Sequence, residues 1–112
     1  MRKMILRLAP VAFSFGAVLL ATGPGTRAQG DAVAVFKKHC ALCHAEDGSG
    51  NSTSGKALKA KDLRSAEVQK QTDAELTDVI TKGRGKMPAF AAKLSPETIK
   101  SLVAYVRQIA KK

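Results

Sequence analysis

From Leu8 to Ala21 the chain is almost wholly apolar, interrupted only by Pro10, Ser14 and Gly16. Beyond residue 30 the pattern changes, and apolar residues recur every third or fourth position instead. Ala32, Val35, Phe36, Cys40 and Cys43 make one such stripe, with Asp31 placed to cap the helix that they predict. Residues 45–55, AEDGSGNSTSG, are nearly all small or polar and read as a loop. Asp62-Leu63-Arg64-Ser65 opens a short helical turn through Gln69. Thr72 and Glu75 then fit a capping box, in which each side chain satisfies the other's backbone N–H. Leu76, Val79 and Ile80 continue that helix on one face, and Gly83 offers a left-handed end. A second loop, GRGKMPAF, covers residues 83–90. Ser95-Pro96-Glu97 supplies an N-cap, a first-turn proline and a negative charge for the last helix. Its apolar stripe is Ile99, Leu102, Val103, Val106 and Ala110, and Lys111 and Lys112 suit its C-terminus. No period-2 stretch of strand length appears, so the class is all-α.

The first apolar run has a separate meaning. Arg2, Lys3 and Arg7 precede it, and small residues from Thr22 to Gly30 follow it. This is the layout of a secretory signal peptide, with Thr26 and Ala28 spaced for cleavage after Ala28. The run is shorter than the ~20 residues of a membrane-spanning helix. Residues 1–28 are therefore expected to leave, and residues 29–112 to form the working domain, exported to the periplasm with no lasting membrane insertion.

Composition shifts accordingly. The whole chain carries a formal charge of +10. The segment 1–28 holds four basic and no acidic residues, so the remainder keeps +6. Its aromatic rings are only Phe36, Phe90 and Tyr105, and its single methionine is Met87. So few large side chains make a thin core, and a domain of this size needs something more to fill it.

That something is written in Cys40-Ala41-Leu42-Cys43-His44. On a helix, positions i, i+3 and i+4 share a face, so two thiols and an imidazole project together. C-x-x-C-H is the attachment signature of a c-type haem: Cys40 and Cys43 would form thioethers with its vinyl groups and His44 would bind its iron. Three other readings compete. A thioredoxin-like dithiol expects a βαβ setting and a lowered thiol pKa at a helix start. A zinc site using His39, Cys40, Cys43 and His44 would close a tetrahedron poorly and has no second Cys/His cluster. A lone Cys40–Cys43 disulfide would close a tiny loop and stabilise little.

The sixth position of the iron falls to Met87, which lies outside any amphipathic stripe, beside Gly83, Gly85 and Pro88. His/Met ligation raises the reduction potential and fills both axial positions, which favours electron transfer over substrate chemistry. Phe36, Leu58, Leu63, Pro88, Phe90 and Leu94 are the candidates to cover the haem faces. Lys59, Lys61 and Arg64 are placed as propionate partners or as plain solvated charges. Lys82, Arg84, Lys86 and Lys93 flank the methionine loop and suit docking on a redox partner with an acidic surface. The chain is not a nucleic-acid binder, since it is exported and lacks aromatics interleaved with its lysines.

These residues resemble the small class I bacterial c-type cytochromes, near the short algal and cyanobacterial photosynthetic carriers in layout. The resemblance spans residues 30–112 and rests on Phe36 four before the first cysteine, on GRGKMPAF and on LSPETIKSLVAYVRQIA. It implies three or four helices wrapped round one covalent haem c, with the first and last helices crossing. Ala32 and Phe36 would then meet Leu102 and Tyr105. With both axial positions filled, the expected protein is a single-haem electron carrier rather than an enzyme, and monomer is the default state. Two departures stand out: Ala32 occupies a position often held by glycine, and no Gly-Pro occurs near Gly55-Lys56, where relatives offer a carbonyl to the proximal imidazole. A haem enzyme or sensor whose methionine dissociates is the alternative, and a thiol oxidoreductase a third.

Overall fold

The computed structural model describes residues 9–14, 16–17 and 25–112, and side chains within the first helix from Asp31 onward. Most of the expected signal peptide, including Arg2, Lys3 and Arg7, lies outside the described residues. Among the described residues six helices follow in order: α1 (Gly25–His39), α2 (Ala41–His44), α3 (Thr53–Leu58), α4 (Ala66–Gln69), α5 (Asp73–Lys82) and α6 (Pro96–Ile109). Among the described residues there is no strand, only a single pair of bridged backbones at Arg84 and Met87. The expected all-α class holds.

The boundaries differ from the sequence reading in three places. Asp31 lies inside α1 rather than capping it, since the helix begins at Gly25 and runs through the expected cleavage point. The stripe that was to continue to Cys43 is interrupted at Cys40, which forms a turn between α1 and α2. The end of the small, polar stretch is not all loop: Thr53–Leu58 is helical, with the Ser52 hydroxyl accepting from Gly55 N–H.

Two apolar clusters hold the helices. Ala32 and Phe36 of α1 pack on Leu102, Tyr105 and Ile109 of α6, with Phe36 and Tyr105 edge to face at 5.1 Å between centroids. This is the helix pairing that the family resemblance implies, with Ala32 buried in it at 1% exposure. Val68 of α4 and Leu76 of α5 close on Val103 and Val106 on another part of α6. Leu63 and Ile80 pack against both clusters. The last helix is thus the spine, and the segment holding the cysteines and histidine is carried at the end of α1.

Candidate functional site

Cys40, Cys43 and His44 are brought together as the spacing requires. His44 N–H donates to Cys40 C=O at 2.9 Å and Cys43 N–H to the same carbonyl at 3.2 Å, so the three side chains leave one turn. Both cysteines are free and half-buried. Burial pushes the Cys40 thiol up to about 11, with the neighbouring Cys43 adding to the shift. A dithiol redox centre needs the opposite shift, because the thiolate is the nucleophile. This burial, together with the lack of any strand among the described residues, argues against the thioredoxin-like reading.

His44 is buried, and its Nδ1 lies 3.0 Å from the carbonyl oxygen of Lys61. A carbonyl can only accept, so Nδ1 is the donor, and in the neutral ring the lone pair then lies on Nε2. That is the tautomer an axial imidazole needs, with its orientation fixed from behind. The acceptor is six residues beyond Gly55, at Lys61, rather than near the missing Gly-Pro. No local sequence signal could have chosen it, since every residue offers a carbonyl.

The bed beneath the motif is built from close backbone approaches. A Cβ at Gly55 would run into Cys43 O and Gly50 O, so only glycine lets α3 lie against α2. Gly50 N–H donates to His44 C=O at 2.7 Å, and the Ser52 hydroxyl donates to Leu42 C=O at 2.6 Å. The small residues of the polar stretch serve contact with the cysteine turn.

Met87 is presented by a tight turn. Arg84 and Met87 exchange both backbone hydrogen bonds, at 3.1 and 3.0 Å. Gly83, at φ 75° and ψ 170°, ends α5 with the positive φ that favours glycine, outside the left-handed helical well itself. A side chain there would strike Met87 O at 2.6 Å. Phe90 N–H and Ala91 N–H then return to the carbonyls of Ile80 and Thr81, at 3.0 and 3.2 Å, which pins the loop to the end of α5. Met87 itself is half-buried.

The candidate haem-covering residues divide. Phe90 is buried, with the His39 ring edge-on at 6.0 Å. Leu63 and Leu94 are half-buried against the core, and Pro88 is exposed. Phe36 is committed to the α1–α6 contact at 1% exposure. Leu58 is 40% exposed. Of the candidate propionate partners, Lys61 pairs with Glu67 at 3.1 Å and Arg64 with Asp62 at 3.0 Å. Lys82 pairs with Asp78 at 2.8 Å, which tempers one of the positive charges beside the methionine loop.

Comparison with known proteins turns this geometry into a family. Residues 27–106 match the family described as cytochrome c oxidase, cbb3-type, subunit III. The chain is 38% identical to a cytochrome c6 of Leptolyngbya boryana over 78 residues, covering 70% of this chain and 88% of that one. It belongs to the cytochrome c family. A cytochrome c6 of Microcystis aeruginosa is 35% identical, with 73% of this chain and 98% of that one covered. The oxidase subunit FixP of Azorhizobium caulinodans is 40% identical over 77 residues, 67% of this chain, but this cytochrome spans only 25% of that subunit's length. Among solved structures, the c-type cytochrome KustC0563 matches with a TM-score of 0.63 at 36% identity, covering 70% of this chain and 96% of that one. The cofactor of such a cytochrome is covalently bound haem c, its work is electron transfer, and its fold is that of class I. The donor set fits the group: two free thiols, an imidazole whose Nδ1 faces a carbonyl, and a thioether on a pinned turn. Among the described residues, no helix is long and apolar enough to cross a membrane.

Proposed function

We propose that this cytochrome is an exported, single-haem electron shuttle, with Cys40 and Cys43 holding the haem and His44 and Met87 holding its iron. The observation that carries the reading is the His44 ring, whose Nδ1–H is spent on Lys61 so that Nε2 is left for a metal. When bound, the haem supplies a ferrous/ferric couple. The chain's own residues fix it in place: two thioether tethers one helical turn apart, an imidazole backed by a carbonyl, and a sulfur on a loop tied to α5. The hydrogen bonds on both sides of Met87 favour a ligand that stays in place over one that leaves to open the iron. Neither axial bond has to break for an electron to pass, so the protein is a carrier and not an enzyme.

Residues 1–28 would direct export and be removed, leaving residues 29–112 as a soluble periplasmic monomer. Arg84, Lys86 and Lys93 are exposed on and after the methionine loop. Charge of that sign in one place steers short-lived, salt-sensitive encounters with a redox partner whose docking surface is acidic. The stand-alone cytochromes c6 are the better guide to this role, because the match runs along nearly their whole length.

The test is an optical spectrum and redox titration of the exported protein beside its Met87→Ala variant. The shuttle reading expects a low-spin haem c spectrum, loss of the sulfur-to-iron band in the variant and a fall in potential, by a sizeable part of the ~0.8 V that axial ligation spans. A colourless wild type, or a variant with unchanged spectrum and potential, would overturn it. Rapid binding of carbon monoxide or cyanide by the wild type would point to the methionine-dissociating alternative.

A further inference from the structure

The carbonyl that receives the His44 proton belongs to a segment held on its far side by two side chains that electron transfer itself does not use. Leu63, two residues on, donates its N–H to Gly48 O at 2.8 Å. Its carbonyl accepts from Gln69 Nε2 at 2.7 Å, and the same amide group reaches Val106 O of α6 at 3.2 Å. Gln69 is gripped in turn by Arg107, whose Nη1 donates to the Gln69 backbone carbonyl at 2.9 Å and to Oε1 at 3.4 Å. The other guanidinium nitrogens reach Gln71 O and the Asp73 carboxylate. Arginine has only donors, so the amide oxygen faces Arg107 and both donated bonds of Gln69 go to carbonyls. The Arg107 side chain is 26% exposed, so this clasp is largely shielded from water.

The geometry reaches the histidine along a short path. Lys61 and Leu63 are separated by two peptide units, at most ~7 Å of chain. Leu63 is bonded at both its N–H and its C=O, which leaves the Lys61 carbonyl little freedom to drift from His44. We propose that Gln69, locked by Arg107, is a positioning residue for the proximal imidazole: it holds the Lys61 carbonyl on Nδ1–H and so sets how strongly His44 donates to the iron. The inference rests on the reading of His44 as axial ligand. A firmly held acceptor raises the basicity of the ligating ring, which favours ferric iron. A loosened one shifts the couple toward ferrous.

The test uses the haem-loaded protein with Gln69→Glu, Gln69→Leu and, as a packing control, Val103→Ala. Glutamate keeps the size and the partner for Arg107 but has no N–H to give Leu63. Both Gln69 variants are expected to raise the ferrous-to-ferric ratio at fixed ambient potential, by up to about tenfold, or 59 mV for one electron. Exchange of the His44 Nδ1 proton with solvent, followed by NMR, is expected to quicken. Val103→Ala is expected to lower the Tm and move neither readout. Unchanged potential and proton exchange in Gln69→Glu would overturn the proposal even if Gln69→Leu did not fold. So would a Val103→Ala variant that shifted both as far for the same loss of Tm. A wild type without haem, or one whose spectrum survives replacement of His44, would instead remove the axial reading and this inference with it, and shows before any Gln69 variant is made.

Discussion

Ala45, directly after His44, the proposed axial ligand, sits at φ 62° and ψ 162°, a region that is essentially glycine's own. It is held there from both sides: its N–H donates to Ala41 O at 2.8 Å and its carbonyl accepts from Gly48 at 3.1 Å. Such a residue costs of order 1–3 kcal/mol, against which a glycine would add roughly 0.4–1 kcal/mol of unfolded-state entropy. Ala45→Gly is therefore expected to stabilise the haem-loaded protein by about 1 kcal/mol with its spectrum unchanged. Chemical denaturation of the two proteins decides it, and a loss of stability would show that the backbone there is not strained. A second residue-scale effect depends on pH. Hydrogen bonds from the Arg64 side chain, and then from its backbone N–H, hold the Asp62 carboxyl below the usual carboxylate range. The Ser49 hydroxyl, and then its N–H, does the same for Asp47. A carboxyl lowered in the folded state contributes stability above its unfolded pKa, near 4, and loses it as pH falls through the folded value. Both groups are exposed, so the contribution is small and salt-sensitive. Asp62→Asn is expected to flatten the acid limb of the stability profile below about pH 4, as measured by urea midpoints at low and neutral pH.

At the scale of elements, the starts of α5 and α6 were legible because caps are local. Thr72 and Glu75 form the full capping box of α5, at 3.1 and 2.8 Å, and Ser95 caps α6 one residue before Pro96. Thr72→Ala is expected to cost about 1 kcal/mol, read as a lower Tm with no change in redox potential, since α5 reaches the methionine loop only at its other end. The C-x-x-C-H turn was legible for the same reason, because its chemistry is fixed by spacing within one turn. What escaped were features set by contact between distant segments. The start of the helix Thr53–Leu58, through Gly55, looked like loop because its residues are small or polar, whereas Gly55 is small so that Cys43 can pass close to it. The acceptor of the His44 proton is a backbone carbonyl 17 positions away, and Arg107 meets Gln69 across 38. Neither side-chain chemistry nor periodicity marks such pairs in advance.

At the scale of the whole molecule, the protein part alone buries little. Its two apolar clusters are joined through Leu63 and Ile80, and Phe36 and Leu102 are the largest fully enclosed side chains. Leu42 and Leu58, on the helices that form and support the C-x-x-C-H turn, stand 72% and 40% exposed. A haem supplies the missing apolar surface. At ~25 cal/mol per Å², each 200 Å² taken from water is worth about 5 kcal/mol, comparable to the entire stability of a small domain. Thioether tethers at Cys40 and Cys43 would also join α2 and the turn after α1 to that surface permanently. The chain from residue 29 onward, made without haem or with Cys40 and Cys43 both changed to alanine, is therefore expected to be largely unfolded, with weak far-UV circular dichroism and no cooperative melt. The haem-loaded form is expected to be helical and to melt sharply. A haem-free chain that melted cooperatively from a helical baseline would show that the α1–α6 contact and the Gln69–Arg107 clasp suffice to hold the fold, and that the haem is a passenger rather than its centre.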